Sequence, residues 1–472
     1  MRHVSLLSIA VLAAHALSGC ASEAADGPGH ADAALAQADA AQADAADHAD
    51  AGAGDTQADS APPTPDVAED TGPFVQAKHP APPKVSYFGN GLLLAPQLVT
   101  VTFPGDALAK DLATFAAGIG KSAYWNEVTQ GYCASGGSGD CIGPATDGGH
   151  VELKVDPAAT YADTTDGSPS SLQDFLLAEL DNADLPAPAT DTLYLLYFPK
   201  TTKITLGSGS SAPPSKSCKD FGGYHHSIVY KGTPVAYAVI PECGGKFSSL
   251  TALQIATNTA SHEILEAVTD PFTVLTQDGY ATGYQLTPTT PSLLAWYLAL
   301  HGGEVGDLCE DILGEGQSTT ESDGFLVQRI WSNLSAAAGH DPCVPAPIGQ
   351  PYFNAAPIKG KNAFQLSVGE SVTFSVVAYS DAPVPGGWTV RGVDMAGPEV
   401  TGGDGFLDIQ VNGQESAQVQ NGDTLEVTVT LNADPGTSQP GASAVLLSTG
   451  KGGVTHLWPL WFYTPAEAKK GI

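Results

Sequence analysis

The run S-H-E-I-L-E-A-V-T-D-P from Ser261 to Pro271 restricts this chain more than any other stretch. Its spacing predicts a helix that Asp270-Pro271 stops, because proline has no amide to donate and disfavours helical backbone in the residue before it. On a helix, residues four apart lie one above the other, so His262 and Glu266 share a face, with Glu263 about 100° round the axis. Leu253, Ala256, Ala260, Ile264 and Ala267 fall roughly opposite. An amphipathic helix is therefore expected, one face in a core and the other at a cleft.

An imidazole and a carboxylate on one helix face, with a second carboxylate beside them, form the donor set of a metal site with a base at hand. In the zinc-protease pattern H-E-x-x-H the two histidines bind the ion and the glutamate activates water. Here Glu266 stands where the second histidine would be. His262 can give nitrogen and Glu266 oxygen, and Glu263 takes the role of general base. The third ligand could come from Glu304 or Asp307 in the later run G-G-E-V-G-D-L-C, or from His225 in G-Y-H; Glu304 is favoured. His225, Asp270 and Asp307 are further candidates for the site. Zn²⁺ fits the His-containing pattern, while the carboxylate in place of an imidazole shifts preference toward harder cations such as Ca²⁺ or Mn²⁺. The competing reading has no ion: His262 and its carboxylate neighbours would form a hydrogen-bonded cluster ordering the Thr269-Asp270-Pro271 turn.

The N-terminus indicates export. Arg2 and His3 precede an apolar run, Val4 to Leu17, too short to span a bilayer, and Leu17-Ser18-Gly19-Cys20 follows in the manner of a lipoprotein cleavage box. Residues 1–20 are then a signal peptide, and lipidated Cys20 anchors the mature chain to a membrane. Residues 21–83, rich in Ala, Asp and then Pro, lack the large apolar side chains needed to offset ordering entropy and are expected to be a disordered tether. The remaining cysteines, Cys133, Cys141, Cys218, Cys243, Cys309 and Cys343, form an even set, as suits disulfides in an oxidising compartment. Sequence proximity favours 133 with 141, 218 with 243, and 309 with 343. The formal charge of -32 argues against nucleic acid as a partner. No phosphate-binding loop and no G-x-S-x-G elbow occurs.

Between residues 84 and 348 the periodicities alternate between strand and helix. Leu98 to Phe103 reads as a strand, Asp106 to Tyr124 as one helix, Ser170 to Leu180 as another, and Leu193 to Phe198 as a buried strand. Ile228 to Tyr230 and Val235 to Ile240 form a hairpin about Lys231-Gly232-Thr233-Pro234, and Phe325 to Trp331 a later strand. An α/β (α+β), zincin-like domain is expected. From 349 to 472 about seven short β-rich runs, beginning at Phe364 and ending at Tyr463, predict an all-β Ig-like sandwich.

Taken in order, Gly223-Tyr224-His225, Tyr237 to Pro241, Ser261-His262-Glu263 to Asp270-Pro271, Trp296-Tyr297 and Gly303 to Cys309 resemble the EXORDIUM-like, phosphate-induced protein family of plant extracellular proteins and their bacterial relatives. The resemblance covers roughly Pro83 to Val344 and implies an extracellular or cell-wall protein associated with growth responses. Two functions follow as expectations: a metal-dependent peptide hydrolase, or a non-catalytic surface protein that binds a peptide or cell-envelope ligand.

Overall fold

The computed structural model describes residues 73–469, apart from 90, 138, 208–213, 245–249, 273–281, 301, 311–316 and 437–440. The expected signal peptide, Cys20 and most of the expected tether lie outside the described residues.

The chain is mixed α+β. A five-stranded sheet is built from β1 (Gln97–Thr102), β2 (Thr146–Glu152), β3 (Thr192–Phe198), β4 (Tyr224–Tyr230) and β5 (Thr233–Pro241), in the order β2-β1-β3-β5-β4. All neighbours are parallel except the edge pair β4 and β5, which run antiparallel with His225 opposite Ala238. The hairpin joining them needs only Lys231 and Gly232, both at positive φ, a turn that matches the twist of the flanking strands. β3 is buried at every residue, as expected of a strand covered on both faces.

Alternate side chains of these strands feed two cores. Val99, Val101, Tyr194, Leu196, Tyr237 and Val239 meet Leu172, Leu176 and Leu180 on one face. Leu98, Leu193, Leu195, Ala238 and Ile240 meet the central helix and Leu112, Phe115 and Trp125 on the other. The helix expected over 106–124 is instead two, α1 (Ala109–Ile119) and α2 (Ala123–Val128). Gly120 sits against Ala145, whose carbonyl oxygen would lie 2.2 Å from an added Cβ, and Ser122 caps the second helix by accepting from the Trp125 amide. Helix α3 (Leu172–Asp181) follows the prediction closely.

The central helix α4 (Ala252–Thr269) begins at a capping box, Thr251 with Gln254, and ends at Asp270 before Pro271. It corrects the amphipathic expectation. From Ala260 to Thr269 every residue is buried, because β5, β4 and β7 (Phe325–Gln328), which pairs in a hairpin with β6 (Thr319–Ser322), pack on it. Its polar side chains therefore lie inside the protein.

Residues 353–463 form an all-β sandwich. One sheet has β8 (Phe353–Pro357), β10 (Ser371–Ser380), β14 (Thr424–Leu431) and β12 (Leu407–Val411), in that order; the other has β9 (Ala363–Gln365), β16 (Thr455–Tyr463), β15 (Ala442–Thr449), β11 (Trp388–Asp394) and β13 (Ser416–Val419). The described strands number nine rather than seven, since Phe353–Pro357 and Ser416–Val419 lack a β-rich pattern. Helix α5 (Pro291–Ala299) packs on β16 and β15. Its Trp296 lies edge-on to Trp331 and Trp458, with ring centroids 5.8 and 5.1 Å away, so one hydrophobic cluster runs from the mixed sheet into the sandwich. The disulfides are Cys133–Cys141, Cys218–Cys243 and Cys309–Cys343, the pairs that proximity favoured. They suit a chain folded in an oxidising compartment.

Candidate metal centre

Three segments converge: α4 with His262, Glu263 and Glu266; the start of edge strand β4 with His225; and the loop that returns at Glu304 to Asp307. His225 is a strand residue, since β4 begins at Tyr224. Gly223 before it has no room for a side chain, because an added Cβ would lie 2.4 Å from Thr259 and 2.9 Å from Glu263 Oε1. This close approach brings β4 down onto α4.

His262 Nε2 lies 3.1 Å from Glu266 Oε2 and 3.8 Å from Asp307 Oδ1. His225 Nδ1 lies 3.5 Å from the same Glu266 oxygen and 3.6 Å from Glu263 Oε2. Two donor sets result, His262/Glu266/Asp307 and His225/Glu263/Glu266, each with its ligand atoms within 4.8 Å of one another. Glu266 belongs to both. Its other oxygen, Oε1, accepts from the amides of Gly306 and Asp307, each at 3.1 Å, and so folds the loop over the helix. Gly306 must be glycine for this, since a Cβ there would lie 2.7 Å from that oxygen and 2.8 Å from the His262 ring.

The sequence favoured Glu304 as third ligand and Glu263 as base. Glu304 falls outside both donor sets. Its Oε1 is 4.0 Å from His225 Nε2 and 3.3 Å from Gln285 Nε2, and its side chain is 15% exposed against 9% for Asp307. Glu263 is fully buried, inside a donor set. Asp307 provides the third donor beside His262 and Glu266. Asp270 binds Thr282 and, at 2.7 Å, Gln285 Nε2, while its carbonyl accepts from His225 Nε2 at 3.2 Å. It braces the site from behind.

Electrostatics mark the centre as short of positive charge. Burial raises the pKa of Glu263 and of Asp270. Burial and the nearby charge of Glu266 hold Glu304 and Asp307 well above the carboxylate range. Burial would likewise raise Glu266, but the imidazoles of His262 and His225 outweigh it and hold that carboxyl below its usual value. His225 is desolvated, which lowers its proton affinity; Glu304, Glu263 and Glu266 overcome this and hold it well above an ordinary histidine. Both oxygens of Glu263 and Oε2 of Glu266 are buried and accept no hydrogen bond. Ionised oxygens left so are costly unless a cation or proton meets them. The donor chemistry, imidazole plus carboxylate, fits Zn²⁺ or Mn²⁺.

Sequence reasoning missed Gln328, whose Oε1 lies 2.9 Å from His262 Nδ1, and Gln285. A polar residue between the apolar Phe325-Leu326-Val327 and Ile330-Trp331 was the available signal for Gln328.

No family model and no curated protein matches the chain. Among solved structures, it is similar to a lipoprotein from Bacteroides thetaiotaomicron, at 12% identity, TM-score 0.20, over 27% of this chain and 93% of that one. It is similar to the adhesin InvE of Yersinia pseudotuberculosis at 12% identity, TM-score 0.17, over 30% and 38%. It is also similar to OgpA from Akkermansia muciniphila, solved in complex with an O-glycopeptide substrate, at 10% identity, TM-score 0.20, over 81% and 95%. At these scores the likenesses carry no functional argument.

Proposed function

We propose that the α+β part is a divalent-cation-dependent hydrolase of peptide amide bonds, carried by an exported chain that lipidated Cys20 tethers to the cell envelope. The observation that carries this reading is the set of buried oxygens on Glu263 and Glu266 that accept no hydrogen bond while facing His225 and His262. The zincin-like reading is supported by the H-E-x-x-E helix meeting an acidic loop that returns to it. A bound Zn²⁺ or Mn²⁺ supplies Lewis acidity toward a carbonyl and toward water. His262, Glu266 and Asp307 hold the cation. Glu304, the more exposed acid of the loop, with Gln285 orienting its carboxylate, would be drawn into its ionised form by the positive charge of a bound cation; so ionised it accepts the proton of the attacking water and returns it to the leaving amine.

The burial of His262, Glu263 and Glu266 favours one second reading: a surface protein of the EXORDIUM-like kind in which a cation, Ca²⁺ included, ties α4, β4 and the loop together without catalysis. Metal content and hydrolysis of a broad peptide library, compared in wild type, Glu266→Gln and Glu304→Gln, separate the two. The hydrolase reading requires that Glu304→Gln keep its metal and lose at least 100-fold in rate, as is typical of a general base. A wild type that binds metal and cleaves nothing supports the binding protein instead.

A further inference from the structure

We propose that the centre holds two divalent cations bridged by Glu266 Oε2. The inference rests on the cation centre proposed above and deepens it.

Donors bound to one ion at about 2.0–2.2 Å stand roughly 3–3.5 Å apart at tetrahedral or octahedral angles. The imidazole-to-carboxylate separations are close to this in both sets, 3.1 and 3.8 Å about His262 and 3.5 and 3.6 Å about His225, and all donor atoms of a set lie within 4.8 Å of one another. No donor set among the described residues contains both imidazoles. The one atom common to the sets is Glu266 Oε2, which accepts no hydrogen bond, whereas Oε1 of the same carboxylate is already occupied by two backbone amides. Glu266 is thus fixed with one oxygen turned to both histidines.

The imidazoles are independently arranged as ligands. His225 Nε2 faces the carbonyl of Asp270, which can only accept, so in the neutral ring the proton sits on Nε2 and Nδ1 carries the lone pair toward Glu263 and Glu266. Gln328 Nε2 donates to the Gly306 carbonyl at 2.9 Å, which leaves Gln328 Oε1 to accept from His262 Nδ1 and turns the lone pair of His262 Nε2 toward Glu266 and Asp307. Each ring is pinned from outside by a carbonyl oxygen, as metal-binding histidines are. The supply of oxygen donors points the same way. Glu263, Glu266, Glu304 and Asp307 place four carboxyl groups within 4.0 Å of these two rings, more donors than one tetrahedral ion takes. Two ions sharing one carboxylate oxygen stand about 3.5–4 Å apart, the spacing of two-metal hydrolytic sites.

The test is metal stoichiometry and paramagnetic coupling in the full-length, disulfide-intact protein, stripped with chelator and reloaded with Mn²⁺ or Zn²⁺. Two ions per chain, with an exchange-coupled multiline EPR spectrum for Mn²⁺, are expected. His225→Ala and Asp307→Asn should each fall to one ion and lose the coupling, with near-UV circular dichroism confirming the fold. One ion in wild type with an isolated Mn²⁺ spectrum, or two ions without coupling, overturns the bridged pair and leaves the cation-dependent hydrolase standing. No bound ion overturns both.

Discussion

Gln328 Oε1 accepts from His262 Nδ1 at 2.9 Å, and this contact decides which nitrogen of the histidine faces the carboxylates. The strand that carries Gln328 is itself locked to the helix, through Ser261 Oγ accepting from the Gln328 amide at 2.8 Å and Thr257 Oγ1 donating to Leu326 at 2.8 Å. Gln328→Leu, which keeps the volume but removes the acceptor, should weaken cation affinity about 10–100-fold, the usual consequence of losing an orienting partner of a metal-binding histidine. Competitive titration against a chromophoric chelator measures it. Unchanged affinity would show that the orientation of His262 does not depend on Gln328.

Gly306 is the point where loop and helix touch. A methyl group there meets Glu266 Oε1 and His262 at under 3 Å, and the neighbours are buried and held. Gly306→Ala should therefore destabilise the fold by about 1–3 kcal/mol, as overpacking does, and displace Asp307 from the site. Urea unfolding and metal content of the same sample read the two effects.

Trp296 joins the mixed sheet to the sandwich through Trp331 and Trp458. Trp296→Ala should cost about 3–5 kcal/mol, the range for truncating a large buried aromatic. Followed by Trp fluorescence and by far-UV circular dichroism, the transition midpoint should fall in both probes together. A shift in neither probe would deny that this ring supports the shared core.

A separate pH response belongs to Glu242, half-buried beside Asp106. Burial first, and then the hydrogen bond and charge of Asp106, push its carboxyl up to about 8. The folded-state pKa thus exceeds the unfolded one, so the folded protein keeps a proton that the unfolded chain releases above about pH 4.5. That stability is fully present below the unfolded pKa and is lost as pH rises through about 8. Glu242→Gln should flatten the decline in unfolding free energy between about pH 5 and pH 9. Parallel wild-type and variant profiles would contradict it.

Much of the fold follows local rules that can be read in one dimension. β3 is a continuous apolar run, Lys231-Gly232 can hardly be other than a tight turn, and each cysteine bonds to its neighbour in sequence. β2 was not legible, because T-D-G-G-H-V-E carries two glycines and mostly polar side chains, and only its pairing with β1 makes it a strand. The break between α1 and α2 depends on Ala145 arriving from elsewhere in the chain.

The site divides in the same way. That His262 and Glu266 share a helix face follows from helical geometry alone. Which acid of G-G-E-V-G-D would reach them does not, since spacing along a glycine-rich loop fixes no direction. With two loop amides bound to Glu266 Oε1, it is Asp307 and not Glu304 that enters a donor set. Likewise, nothing in S-H-E-I-L-E shows that the helix is covered on all sides; that depends on the distant hairpin of β6 and β7.

The central claim is that the carboxylates of α4 exist to hold a cation. Isothermal titration of the chelator-stripped, full-length protein with Zn²⁺, Mn²⁺ and Ca²⁺, for wild type and Glu266→Gln, tests it directly. The substitution keeps an oxygen to accept from Gly306 and Asp307, so the loop retains its anchor while the anionic donor is gone. Saturable binding by wild type of at least one of these ions, weakened at least 100-fold in Glu266→Gln, is the predicted result. A wild type that binds none of the three, or a variant that binds as well as wild type, would contradict the account.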